Sequence, residues 1–222
     1  MALTFNVRRA QMLRAFRWSA IFFAGFLVVT HQVLINGPLV NFDESIHNAK
    51  RPDLTGAIGF IVRRIDDLGL RGLTATVLLL AAFYIARRFK TWRPLNLAIL
   101  SLIFLNLVVG VFKFALGRTK PKIGFDLLHA GGMSYPSGHA SNALLSWGVL
   151  AYLIYRYAHV DRYRGRLAST GVAVVSLSVC VVSLIRDTHW FSDLLGGLFI
   201  GASLLVLIIA VDRYFPSDSQ LS

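Results

Sequence analysis

Leu95–Leu116 reads LNLAILSLIFLNLVVGVFKFAL, 22 residues whose one charge, Lys113, stands near the end. As an α-helix this stretch rises about 33 Å, enough for a bilayer hydrocarbon core of about 30 Å. Five further stretches share the pattern: about Trp18–Ile35, Leu73–Ala86 (longer if it begins near Leu68), the run from Pro136 to Tyr155, Leu167–Ile185 and His189–Val211. Pro94 and Pro136 stand at helix starts, where proline costs no intrahelical hydrogen bond. The pattern predicts an all-α polytopic membrane protein with six transmembrane helices in a single domain, 1–222.

The composition agrees. Of the 222 residues, 55% are hydrophobic and 15% charged, with a mean hydropathy of +0.61. Soluble domains carry about 25% charged residues, so the chain has too little polar surface for a water-soluble enzyme or a disordered segment. The net charge of +12 does not mark a nucleic-acid-binding domain, and no nucleic-acid partner is expected. The single cysteine, Cys180, lies in an apolar run and reads as a packing residue, with no disulfide within the chain.

More than half of the 23 basic residues fall in four segments that share one side. These hold Arg8, Arg9, Arg14 and Arg17; Arg87, Arg88, Lys90 and Arg93; Arg156, Arg162, Arg164 and Arg166; and Arg213. The positive-inside rule places these segments, and both termini, in the cytoplasm. No A-x-A-like cleavage site follows the first apolar run, so it reads as a retained span. Asn41–Leu70 alternates apolar and charged residues (Phe42, Ile46, Leu54, Ile58, Ile61, Val62, Ile65) and predicts an amphipathic helix on the outer, periplasmic membrane surface.

Ionisable groups beside a bilayer are costly and point to function. Three clusters fall on the outer side. Lys113, Arg118, Lys120 and Lys122 close the third span. Tyr135-Pro136-Ser137-Gly138-His139 opens the fourth, where free backbone N–H groups and the helix dipole favour an anion and Gly138 permits close approach. Gly131-Gly132 upstream would let the loop fold over a site. Arg186, Asp187, His189 and Asp193 join the last two spans. If helix runs from His189 onward, Asp193 lies one turn along the same face and fixes the imidazole tautomer. Read plainly, each cluster alone is a positive helix end, a capped helix start or a satisfied histidine. Together, several cations, a helix N-terminus, a nucleophile–carboxylate pair and a separate proton donor suit phosphoryl transfer without metal. His139, His189, His129, Asp126 and Asp193 match no H-E-x-x-H pattern, and the neighbouring cations would repel a divalent ion. No metal and no cofactor are expected.

At these residues the sequence resembles the type 2 phosphatidic acid phosphatase superfamily of integral-membrane lipid phosphatases, over about residues 38–210. The family shows lysine, six residues, arginine, proline; then P-S-G-H; then serine-arginine, five residues, histidine, three residues, aspartate. Here Lys113, Lys120 and Pro121 fill the first, with lysine replacing arginine. Pro136–His139 fill the second, and His189 and Asp193 the end of the third. The third motif's arginine would fall at Ser183; Arg186, about one turn later, is expected to replace it. The resemblance implies His189 as nucleophile forming a phosphohistidine, Asp193 orienting it, and His139 protonating the leaving oxygen. Lys113, Lys120, Ser137, Gly138 and Arg186 would hold the phosphate. The implied substrate is a lipid phosphate at the outer face of the cytoplasmic membrane: a polyprenyl pyrophosphate or monophosphate, phosphatidylglycerol phosphate, phosphatidic acid or diacylglycerol pyrophosphate. Rival readings are a lipid phosphotransferase on the same site, a non-catalytic lipid-phosphate binder, and a small transporter or scaffold, which the absence of a polar track across the bilayer disfavours.

Overall fold

The computed structural model describes residues 5–158 and 161–215; the remainder of the expected 1–222 domain lies outside that description. The described residues form eight α-helices, one 3₁₀ turn at Pro121–Ile123 and no strand: α1 Phe5–Leu34, α2 Pro38–His47, α3 Gly56–Asp67, α4 Arg71–Arg88, α5 Arg93–Leu116, α6 Gly138–Tyr157, α7 Arg162–Ile185 and α8 Phe191–Tyr214. Local chemistry sets the ends. Prolines open α2 and α5. The Asp161 carboxylate accepts from the Arg164 N–H at 2.8 Å at the start of α7, a cap that contributes about 1 kcal/mol. Gly117 ends α5 in the left-handed region, at φ 54°.

Four helices, α1, α5, α7 and α8, are long and apolar enough to cross a membrane. A fifth span arises if α3 and α4, bent by 55° at a short break, count as one. The run from Pro136 to Tyr155 forms α6, which has the length of a span but not the apolar composition. Its neighbours explain the difference. It lies at the centre of the bundle, packed against α4, α5, α7 and α8, so much of its surface meets protein and not lipid. Two of its buried polar side chains donate back to the start of the helix: Ser141 Oγ to Ser137 O at 3.0 Å and Asn142 Nδ2 to Gly138 O at 2.6 Å.

The segment expected to form one outer-surface helix forms two helices. The chain breaks between His47 and Gly56, where Pro52 has no N–H to continue a ladder and restricts Arg51 before it. α2 packs on α1 and α8, and α3 on α7.

The apolar core runs through Phe26, Leu78, Leu105, Leu145, Val149 and Ile200. α1 closes on α8 through small groups, with Ser19 Oγ 3.0 Å from Ser203 Oγ. At the end holding the α4–α5 turn, Asp212 of α8 accepts from Arg93 Nε, Arg156 Nη1 and Tyr152 OH, each at 2.6 Å. This cluster ties α5, α6 and α8 together. The opposite end gathers the three charged clusters.

Candidate active site

The site begins where α5 stops. The chain after Gly117 doubles back, and the loop pairs with the end of α5: His129 N–H donates to Leu116 O at 2.7 Å, Gly132 N–H to Gly117 O at 3.0 Å and Ser134 N–H to Arg118 O at 3.1 Å. A Cβ on Gly132 would stand 2.1 Å from Arg118 O, so only glycine permits this approach. Gly132 therefore seats the loop against the backbone of Arg118, just past the end of α5.

The doubling back buries Arg118 completely. Its Nη1 donates to Asp193 Oδ1 at 2.8 Å and Ser192 Oγ at 2.6 Å, its Nη2 to Asp43 Oδ2 at 2.8 Å, and its Nε to Asp126 Oδ1 at 2.8 Å. One guanidinium thus joins α2, the loop and α8. Burial raises the Asp43 carboxyl pKa above its ordinary value, against the opposing pull of Arg118 and Ser192.

Asp193 is fully buried. Its Oδ1 faces Arg118; its Oδ2 accepts from Ser134 Oγ, from the Trp190 N–H at 3.1 Å and faces His189 Nδ1 at 3.3 Å. α8 starts at Phe191, so His189 precedes the helix and is not its first residue as the spacing suggested. The i,i+4 contact survives because Asp193 sits at the third helical position, where a carboxylate reaches back over the cap. With Nδ1 turned to the carboxylate, Nε2 keeps its lone pair and faces away.

The segment Ser134–Ser137 lies directly on α8. The Ser137 N–H donates to Asp193 O at 2.9 Å, and Ser137 Oγ caps α6 by accepting from the Ala140 N–H at 3.3 Å. A Cβ on Gly197 would stand 2.5 Å from Ser137 O. This close seating brings the first turn of α6 over the start of α8. The rings of His139 and His189 lie 5.9 Å apart, centre to centre.

Cations stand beside the pair and its carboxylate. Lys113 Nζ reaches the carbonyls of Met133 and Ser134, and Asp193, Lys120 and Arg71 act on it electrostatically. Lys120 and Arg186 act likewise on His139. Arg186 caps the C-terminus of α7 and pairs with Asp66 of α3. Ser183, at the position where the resembling family carries arginine, is fully buried and donates to Asp66 Oδ1 at 3.2 Å. Asp66 therefore anchors both residues of the altered third motif. The bend between α3 and α4 also supports His139: a Cβ on Gly69 would stand 3.0 Å from His139 Cβ.

All eight residues expected at the site lie at this end of the bundle. Reading the sequence missed Arg118 as a partner of Asp193, and missed Ser134, Asp43, Asp66 and Arg71. Asp126, weighed as a metal ligand, is spent on Arg118, and His129 is exposed in a left-handed turn at φ 56°. Among the described residues, no three histidine, cysteine, aspartate or glutamate side chains form a metal-holding group.

The sequence profile of the PAP2 superfamily matches residues 94–216. Phosphatidylglycerophosphatase B of Bacillus subtilis (strain 168) is 26% identical over 195 residues, 86% of this chain and 93% of that protein. The crystal structure of a transmembrane PAP2-type phosphatidylglycerolphosphate phosphatase from Bacillus subtilis matches 90% of this chain and 98% of its own, with a TM-score of 0.76 at 20% identity. That likeness is one of fold.

Proposed function

The chain belongs to the PAP2 superfamily, and from that premise we propose that it is a six-span membrane phosphatase that removes a phosphate from a lipid through a phosphohistidine intermediate. The observation that carries the reading is the pairing of His139 with His189, 5.9 Å apart, drawn from separate motifs, with Lys120 and Arg186 acting on His139.

In this reaction the phosphate oxygens lie among Lys113, Lys120, Arg186, the Ser137 hydroxyl and the backbone at Gly138. Their positive charge matches the charge that spreads over the oxygens as the phosphoryl group transfers. Nε2 of His189 attacks phosphorus. The bond to the lipid oxygen breaks, and that oxygen takes a proton from His139. Asp193 holds the proton on Nδ1 and stabilises the ring as it gains charge. Water then attacks phosphorus, His139 accepts the proton of that water, and the N–P bond breaks to release inorganic phosphate. The lysine and arginine side chains do here what a metal ion does in other phosphoryl-transfer sites.

The substrate class is a polyprenyl carrier phosphate or pyrophosphate, or a glycerophospholipid phosphate. The Bacillus relative, a phosphatidylglycerophosphatase, supports the second group. The sixth span is α6, crossing inside the bundle. The arginine-rich ends face the cytoplasm and the histidine end faces outward, at the outer surface of the cytoplasmic membrane.

Purified protein presented with a panel of lipid phosphates tests this reading. Phosphate release from at least one lipid, unaffected by excess chelator and reduced about 10³-fold or more by His189→Ala, is expected. Full turnover in His189→Ala would remove histidine as the nucleophile.

A further inference from the structure

α7 and α8 are joined by a short turn at the histidine end. α7 packs on α6 and α3 and meets α8 only slightly. A groove of about 760 Å³ opens between them toward the arginine-rich end. Its floor is Leu144, Gly148 and Ala151 of α6, and its walls include Val172 of α7 with Leu205 and Ile209 of α8. Its mouth carries Arg162, Arg166 and Arg213.

We propose that this groove binds one anionic phospholipid from the leaflet opposite the histidines. Three observations carry the assignment. First, the floor runs from Leu144 to Tyr155, which on a helix is about 16 Å, close to half of a hydrocarbon core of about 30 Å. The groove therefore has the depth of one leaflet's acyl chains. Second, its interior is mostly apolar, with Ser169 and Thr170 as hydroxyl groups, while its mouth is charged, the polarity of a lipid entering head last. Third, Arg162 and Arg166 stand one turn apart on α7 and Arg213 faces them from α8. Among the described residues none of the three pairs with a carboxylate, whereas Arg93 and Arg156 nearby are both taken by Asp212. Guanidinium groups bind phosphodiester oxygens through paired N–H donors, and basic pockets between membrane helices hold anionic headgroups.

Interfacial arginines occur on many membrane helices without holding a lipid. Arg87 and Arg88 end α4 on the same side and lie outside the groove, so they provide the control. The test uses the full chain in neutral detergent, with phosphatidylserine or phosphatidylcholine of identical acyl chains added. Phosphatidylserine is a phosphodiester and offers no phosphate monoester to the histidine site. Phosphatidylserine is expected to raise the thermal midpoint by about 5 °C and to remain as one bound molecule in native mass spectrometry. The combined variant Arg162→Gln, Arg166→Gln, Arg213→Gln should lose both effects. Ala151→Trp, which fills the floor and leaves every arginine, should lose them too, and Arg87→Gln with Arg88→Gln should keep them. The proposal is overturned if phosphatidylcholine acts equally, if the α4 variant loses as much as the groove variant, or if the triple variant keeps the bound lipid. A dimer that forms in place of lipid binding, and that Ala151→Trp disrupts, would assign the groove to a second copy instead.

Discussion

The two ends of this bundle each bury an ion-pair cluster, and the two are built in opposite proportions. At the arginine-rich end a single carboxylate, Asp212, is saturated by Arg93, Arg156 and Tyr152. At the histidine end a single guanidinium, Arg118, is surrounded by Asp43, Asp126 and Asp193. The first arrangement ties three helices together and leaves no acceptor free. The second holds one carboxylate, Asp193, in place while leaving it a fourth partner, the imidazole of His189. Both signs of charge meet at this end: Asp193 contacts His189, Asp66, Lys120 and Arg186 act on His139, and Asp193, Lys120 and Arg71 act on Lys113. A buried ion cluster of the same chemistry serves as a staple at one end and positions a reactive group at the other.

The comparison is broken most severely at its two centres. Arg118→Ala leaves three carboxylates facing one another without a cation; loss of one partner from a buried pair costs about 3–5 kcal/mol. Phosphate release should fall with it, since Asp193 loses its fixed position. Asp212→Asn at the other end should lower stability by about 1–3 kcal/mol and leave kcat within a few-fold of the parent. Denaturation midpoints and kcat measured on both variants separate the two roles. Equal kcat loss in the two would show that the ends do not differ.

The altered third motif sharpens the contrast on a smaller scale. Arg186→Ala should reduce kcat/KM by about 10²-fold, the scale of one lost charged contact to the transition state. Asp66→Asn keeps that arginine and loosens its anchor, so a loss of about 10-fold, carried more by KM than by kcat, is expected. Turnover unchanged in Arg186→Ala would show that this arginine does not take the place of the one absent at Ser183.

The smallest effect concerns pH. Asp43 has a folded-state pKa raised above 3.8 by burial. A carboxyl raised on folding favours the folded state while protonated, and that contribution is lost as pH rises from 3.8 through the folded value. In Asp43→Asn this loss disappears. The stability gap between parent and variant should narrow in favour of the variant as pH rises through that window, read as midpoints across a pH series. A gap that widens over the same interval would contradict the raised value.

What the sequence made legible follows from range. The pairing of His189 with Asp193 spans one helical turn, and the cap at Ser137 spans three residues; spacing alone carries both. The partners of Arg118 do not share that property. Asp43 and Asp193 each stand 75 positions from it, and Asp66 stands 120 from Arg186. No periodicity encodes such contacts, so Arg118 read as one more cation at a helix end. The start of α8 shifted by two residues because Trp190 takes the cap and Asp193 reaches back to its N–H. α6 illustrates the remaining gap. Its length reads as a span like the others, yet it carries buried Ser141, Asn142 and Ser146 and packs against four other helices. Which helix becomes central is a property of the packed bundle and not of its own letters.

The central claim is that the His189 imidazole, aligned by Asp193 and faced by His139, takes the phosphoryl group. Rapid acid-free quenching of the parent enzyme during turnover of a ³²P-labelled lipid phosphate, followed by peptide mapping, tests it directly. Alkali-stable, acid-labile label on the peptide carrying His189, absent from His189→Ala, is the predicted result. Full phosphate release with no label on that peptide at any quench time would contradict it.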